Sequence, residues 1–171
     1  MSTPEPLPDH AGNGDAPSQS ALPTTGRVVV GVDGSAAARV ALSWAAEVAS
    51  WRHWTLHLVH AWHINYPAGV YGLDFGLFEK SMQEAAEELV ATLEAEVGSA
   101  HPALEIRHTV GEGAPARMLV EASKGAELLV VGSRGLGGFS SLALGSVGQS
   151  CVHHAHCPVL VVRPRSHDTA A

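Results

Sequence analysis

Residues 27–33 read Arg-Val-Val-Val-Gly-Val-Asp, a short, continuous β-branched run of the kind that forms a strand buried on both faces. The segments on its C-terminal side decide the fold. Ser35, a good N-cap residue, opens a stretch in which Val40, Trp44 and Val48 recur four apart, which predicts a helix with that stripe as its apolar face. TLHLVHAW, Thr55 to Trp62, reads as a second strand. After a loop with Pro67, Gly69 and Gly72, a longer helix is expected, because Phe78, Met82, Ala85, Leu89, Leu93 and Val97 recur at three and four. A strand around Leu104 to Val110 comes next, then a helix opened by Pro115 and closed near Gly125. Glu127 to Gly132 is a fourth strand, a short helix ends near His154, and Cys157 to Arg163 carries a fifth. Five strands alternating with helices mean β-helix-β crossovers, and so an α/β domain whose parallel sheet has helices on both faces. Ligands of such sheets sit beyond the carboxyl ends of the strands, where the strand order reverses. The loops after the first and fourth strands are equipped for that role.

The chain has 171 residues, the size of one domain plus a tail. Residues 1–25 hold five of the ten prolines (Pro4, Pro6, Pro8, Pro17, Pro23), the acids Glu5, Asp9 and Asp15, and no cation. With so few apolar side chains to offset ordering entropy, this tail is expected to be disordered. The domain is expected over 26–165, with a short C-terminal tail at 166–171. Against 17 acids stand 10 Lys and Arg, a formal charge of −7, and no basic stripe suggests a nucleic-acid partner. The longest apolar run, near Leu128 to Val131, is too short to span a membrane. No cationic region precedes an apolar one at the N-terminus, and Cys151 and Cys157 make no disulfide framework. A soluble, cytoplasmic protein is expected.

The chemistry concentrates in GSRGLGGFSSLALGS, Gly132 to Ser146, which leaves a buried strand and enters a helix. Its spacing is Gly132-x2-Gly135-x9-Gly145-Ser146, with Gly137 and Gly138 between. Glycines let backbone amides turn toward an anion without obstruction by Cβ, and the helix that starts at Gly145 and Ser146 adds its own amides and dipole. The plainer alternative is a loop ending in a helix cap. Asp33, at the end of the first strand, can bond a ribose hydroxyl or hold a metal ion, or it can simply cap the next helix.

This pattern resembles the universal stress protein family, and within it the ATP-binding branch. Gly132, Gly135, Gly145 and Ser146 match that branch's G-x2-G-x9-G-[S/T] at full spacing, and VGVDGS, LHLVHAW and CPVLVVRP resemble the family from about Arg27 to Pro164. The resemblance implies a Rossmann-like, adenine nucleotide alpha hydrolase-like fold with strand order 3-2-1-4-5. It implies ATP, with Mg²⁺ or Mn²⁺, held between the first and fourth strands. Asp33, with Gly31 beside it, would lie near ribose and phosphates. Ala61 would line the adenine pocket, and Val131 would touch the nucleotide. The amides of Gly132, Gly135, Gly145, Ser146 and Val147 would cradle ribose and phosphates. Gly148 departs from the family, where a serine or threonine is common. A neutral hydrogen bond is worth about 1 kcal/mol, so its loss lowers affinity several-fold without abolishing binding.

Competing ligands leave other marks. There is no G-x-G-x-x-G after the first strand, no G-x4-G-K-[S/T], no hydroxyl-rich FMN loop, and no acceptor Asp where His108, Thr109 and Val110 stand. Among eleven histidines, His57, His60 and His63 lie on or after the second strand, with His57 and His60 on opposite faces. Cys151, His153, His154, His156 and Cys157 crowd the turn before the last strand. Those types can bind zinc, but histidines also suit a helix C-terminus, and Cys151 falls on the buried face; the structural reading is favoured. No catalytic constellation stands out, so at most slow hydrolysis or self-phosphorylation is expected, with Ser133, Ser140 and Ser141 as candidate acceptors and Arg134 facing solvent. If the order is 3-2-1-4-5, Val159, Leu160, Val161 and Val162 form an apolar edge, which predicts a homodimer through that strand. The function expected is that of an ATP-binding, nucleotide-responsive regulator in stress. The alternatives are an interaction module without useful nucleotide affinity and a slow ATPase or self-phosphorylating protein.

Overall fold

A computed structural model of the chain describes residues 26–63, 75–136 and 144–164, without the side chains of Phe75 and Leu77. The tails, the loop with Pro67, Gly69 and Gly72, and Gly137, Gly138, Ser140 and Ser141 lie outside the described residues. The order is β1 (Arg27–Gly31), α1 (Ala36–Arg52), β2 (Thr55–Trp62), α2 (Phe75–Ala100), β3 (Ile106–Glu112), α3 (Pro115–Ala122), β4 (Leu128–Gly132), α4 (Ser146–His154) and β5 (Val159–Val162). All pairings are parallel, in the order β3-β2-β1-β4-β5. From β1 the chain steps outward to β2 and β3, returns to β4 on the other side of β1, and steps outward again to β5. Right-handed crossovers therefore place α1 and α2 on one face and α3 and α4 on the other. The two apolar clusters follow this division: Val28 and Val30 pack with α1 and α2, while Val29 packs with Leu119 of α3 and Cys151 of α4. All three valines are fully buried, as a central parallel strand requires.

Ser35 caps α1, its hydroxyl accepting from the Ala38 amide at 3.2 Å, and His53 ends the helix in the left-handed region at φ 56°. The expected apolar stripe of α1 is not its core face. Val40 and Val48 are half-buried and Trp44 is exposed, whereas Ala37, Ala38, Ala41, Leu42, Ala45, Ala46 and Ala49 are buried. Alanines let the helix backbone seat close to the sheet. A Cβ on Gly132 would lie only 2.9 Å from the Ala37 carbonyl carbon.

The α2 stripe is also corrected. Leu93 and Val97 are buried as expected, but toward the N-terminus the core positions are Ala86 and Val90, while Phe78 and Ala85 are exposed and Met82 and Leu89 are half-buried. Burying a Val or Leu side chain is worth about 1.5–3 kcal/mol, so Val90 and Leu93 anchor the helix. β3 begins two residues later than expected, because the Leu104 amide is held in a turn by the His101 carbonyl. No helix among the described residues is long and apolar enough to cross a membrane.

Candidate functional site

Strand order reverses between β1 and β4, and a cleft of about 570 Å³ opens there, beyond their carboxyl ends. Every residue singled out from the sequence for the nucleotide lines it. Gly31 and Asp33 come from the end of β1, Ala61 from β2, and Val131 and Gly132 from β4. Gly135 belongs to the loop after β4, and Gly145, Ser146 and Val147 to the start of α4.

The glycines have different local reasons. A Cβ on Gly31 would stand 3.0 Å from Leu119 Cδ1, so its absence lets α3 reach the wall of the cleft. At Gly132 the close neighbour is the α1 backbone. At Gly135 a Cβ would overlap Oδ2 of Asp33. That carboxylate joins the two loops of the cleft: Oδ1 accepts from the Ser35 amide at 2.9 Å and Oδ2 from the Leu136 amide at 3.1 Å. The loop returns where the Gly145 amide donates to the Ser133 carbonyl at 2.9 Å, and α4 begins. Gly145 brings no side-chain cap to α4. The Gly145 amide, expected to cradle the nucleotide, is thus taken by Ser133, and the amides of Ser146, Val147 and Gly148, which precede the first intrahelical bond from Gln149, are the ones left for an anion.

Sequence reasoning did not assign several lining residues to the nucleotide site. Ala38 enters from α1, Pro115 and Leu119 from α3, and His63 from the end of β2. The contribution of α3 arises from the crossover beneath the sheet and leaves no local sequence mark. Arg134, expected to face solvent, is exposed and also lines the cleft mouth. Gly148 lines it too, and a Cβ there would stand 2.6 Å from Leu144 Cδ1, so a serine would displace that leucine.

Ser133 is corrected as a candidate phosphate acceptor. It is 2% exposed, with its amide donating to the Val162 carbonyl at 2.7 Å. Its buried hydroxyl is closed to a transferring group. Cys151 is buried in the α3/α4 cluster, and burial pushes its thiol up to about 11. Cys157 is half-buried and its pKa is also raised, mainly by burial. His57 Nε2 lies 2.8 Å from Thr109 Oγ1, and His60 Nδ1 lies 2.7 Å from the Val32 carbonyl. Burial lowers the pKa of His57, helped by the positive charges of Arg27, His108 and Arg107. Among the described residues, no three His, Cys, Asp or Glu side chains gather into a metal cage.

Residues 24–163 match the family model of the universal stress protein family. The chain belongs to that family. It is 38% identical to the universal stress protein Rv2623 of Mycobacterium tuberculosis over 141 residues, which are 82% of this chain and 46% of that protein. The chain thus spans about half the length of the curated relatives it matches. Among solved structures, the universal stress protein UspA of Lactobacillus plantarum superposes with a TM-score of 0.68 at 21% identity, covering 81% of this chain and 97% of that one. A universal stress protein in complex with cAMP superposes with a TM-score of 0.59 at 25% identity, covering 80% and 96%.

Proposed function

We propose that the chain binds ATP in the cleft between β1 and β4 and acts as a nucleotide-responsive regulator in the cytoplasmic stress response. One observation carries this reading: the glycine motif, Asp33 and the uncapped start of α4 converge on a single cleft at the strand-order switch. Support comes also from the relative solved with cAMP, an adenine nucleotide. The apolar wall of Val131, Ala61 and Leu119 suits a base, and the loop and α4 amides suit phosphates. Asp33 is the carboxylate that lines the cleft among the described residues. One carboxylate with nucleotide phosphates is a common Mg²⁺ environment, so Mg²⁺ or Mn²⁺ fits here as a shared ion, which would offset phosphate charge. Asp33, His63 and Arg134 are the ionisable side chains that line the cleft among the described residues, and the reading proposed is binding, with slow turnover as the alternative that phosphate-release assays decide.

Calorimetry of the full chain with ATP, AMP and cAMP, each with and without Mg²⁺, tests the proposal. Saturable ATP binding that is lost in Gly135→Asp supports it, because the variant sets a second carboxylate beside Asp33. Absence of binding by the wild type to any of the three overturns it.

The regulator is proposed to be a homodimer through β5. The two edges of the sheet differ: β3 presents Arg107, His108 and Thr109 as exposed polar residues, while β5 is Val-Leu-Val-Val. Charged edges resist strand addition and apolar ones invite it. Sedimentation at micromolar concentration checks this, and a monomer there refutes it.

A further inference from the structure

Few large apolar side chains are exposed among the described residues, and two of them share one helix. Trp44 is 48% and Trp51 76% exposed. They stand seven residues apart on α1, with half-buried Val48 between them on the same stripe, about 10 Å end to end at 1.5 Å per residue. The alanine-rich face of α1, with Leu42, is the one buried against the sheet, and Val48 packs partly on the core, which leaves the two indole rings on the exposed side of the helix. At its lower end the Arg52 guanidinium sits 4.5 Å over the Trp54 ring and 5.7 Å from that of Trp51.

The point where the N-terminal segment leaves the domain is fixed beside this stack. Gly26 is buried, its carbonyl accepts from the Thr55 amide at 3.0 Å, and a Cβ on it would overlap the Trp54 indole. Gly26, the last described residue before the N-terminal segment, therefore sits against Trp54, the ring on which Arg52 stacks. The last apolar stretch of residues 1–25 is Ala21-Leu22-Pro23, with Pro17 further out. At about 3.1 Å per residue of extended chain, residues 21–23 fall about 9–16 Å from Gly26, which matches the span of the ridge. Proline-rich extended segments dock on exposed aromatic rings because they give up little conformational entropy in doing so. Charge is a lesser term. The segment has three acids and no cation, and Arg52 favours it, but exposed Glu47 on α1 works against it.

We propose that the Trp44–Val48–Trp51 ridge is a docking surface for the chain's own N-terminal segment, with Leu22 and Pro23 against the indole rings. Tethering at Gly26 holds the segment at high effective concentration, so weak contacts suffice. The proposal is independent of nucleotide binding.

Acrylamide quenching of tryptophan fluorescence in the full chain tests it. The wild type is compared with a Leu22→Ser/Pro23→Gly variant, whose changes lie outside the described residues. Uncovering Trp44 and Trp51, two of the four tryptophans, should raise quenching about twofold and shift emission to the red. In a Trp44→Ala/Trp51→Ala background the same tail changes should have no effect. Equal quenching of wild type and tail variant at every protein concentration means a bare ridge and overturns the proposal. Protection that persists in the tail variant but disappears on dilution also overturns it, and assigns the ridge to a second copy.

Discussion

Gly135→Ala isolates the contact on which the cleft turns. The added methyl would overlap Oδ2 of Asp33, the atom that accepts from the Leu136 amide at 3.1 Å. Either the carboxylate rotates away or the loop lifts, and in both cases that bond is lost while the Ser35 bond of Oδ1 can survive. A hydrogen bond to a charged group is worth about 1.5–3 kcal/mol, but Asp33 is only half-buried and water replaces much of it. The expected loss of stability is thus about 1 kcal/mol, or roughly 2–4 °C in Tm for a chain of this length. Nucleotide affinity should suffer more, because the displaced loop amides are the proposed phosphate donors. Losing one charge-assisted bond there costs about 1.5–3 kcal/mol, roughly 10–100-fold in Kd. Urea denaturation at constant m reads the first effect and calorimetry with ATP the second. Gly98→Ala is the control of opposite sign: in α2 the new methyl would be 3.9 Å from Ile106 Cδ1, an ordinary contact. Removing a glycine from the last turn of α2 should stabilise the chain by up to about 0.5 kcal/mol. A Gly135→Ala variant with wild-type stability and wild-type ATP affinity would refute the assignment of Asp33 and Gly135 to one working contact.

Gly132→Ala should destabilise by about 1–3 kcal/mol in a denaturant titration, because its methyl meets the carbonyl carbon and oxygen of Ala37, backbone atoms that cannot turn aside. His57, whose folded pKa lies below its usual value of 6.5, favours the neutral ring in the folded state. Its contribution is therefore present above about pH 6.5 and lost as the pH falls through its lower folded value. His57→Gln should flatten the stability profile in that window, and an unchanged acid limb would count against the assignment. With its thiol pushed up to about 11, buried Cys151 should react with a thiol reagent at pH 8 only after denaturant is added. Fast labelling of Cys151 in the native chain would contradict its burial.

The sheet was legible because a buried parallel strand announces itself as a near-continuous apolar run, which β1, β4 and β5 carry, while in β2 only His57 and His60 interrupt it. The helix faces were less so. Periodicity weighs large side chains and ignores alanine, so it set Val40, Trp44 and Val48 inward, whereas the sheet selected the face on which the backbone approaches most closely. In α2 a stripe drawn from Phe78 ran beside the core face toward the N-terminus, through Phe78 and Ala85 instead of Ala86 and Val90. The cleft was legible where it is built from backbone, since a cradle of amides needs glycine at set intervals and leaves that spacing in the sequence. It was not legible where helices arrive by crossover. Nothing local to Pro115 or Leu119 says that α3 will meet the end of β1.

The alanine face of α1 connects the two surfaces to which roles are assigned. Close seating of this helix is possible because Gly132 offers no Cβ to Ala37. It brings the helix start, with Ser35 and Ala38, to the rim of the cleft, where the Ser35 amide holds one oxygen of Asp33 and Ala38 becomes lining. The same seating gives the helix's inward surface to small residues, so its tryptophans can only point away from the sheet. A large residue at Ala41 or Ala45, both fully buried, would push α1 outward. The cleft rim and the tryptophan ridge would then move together, because one rigid helix carries both.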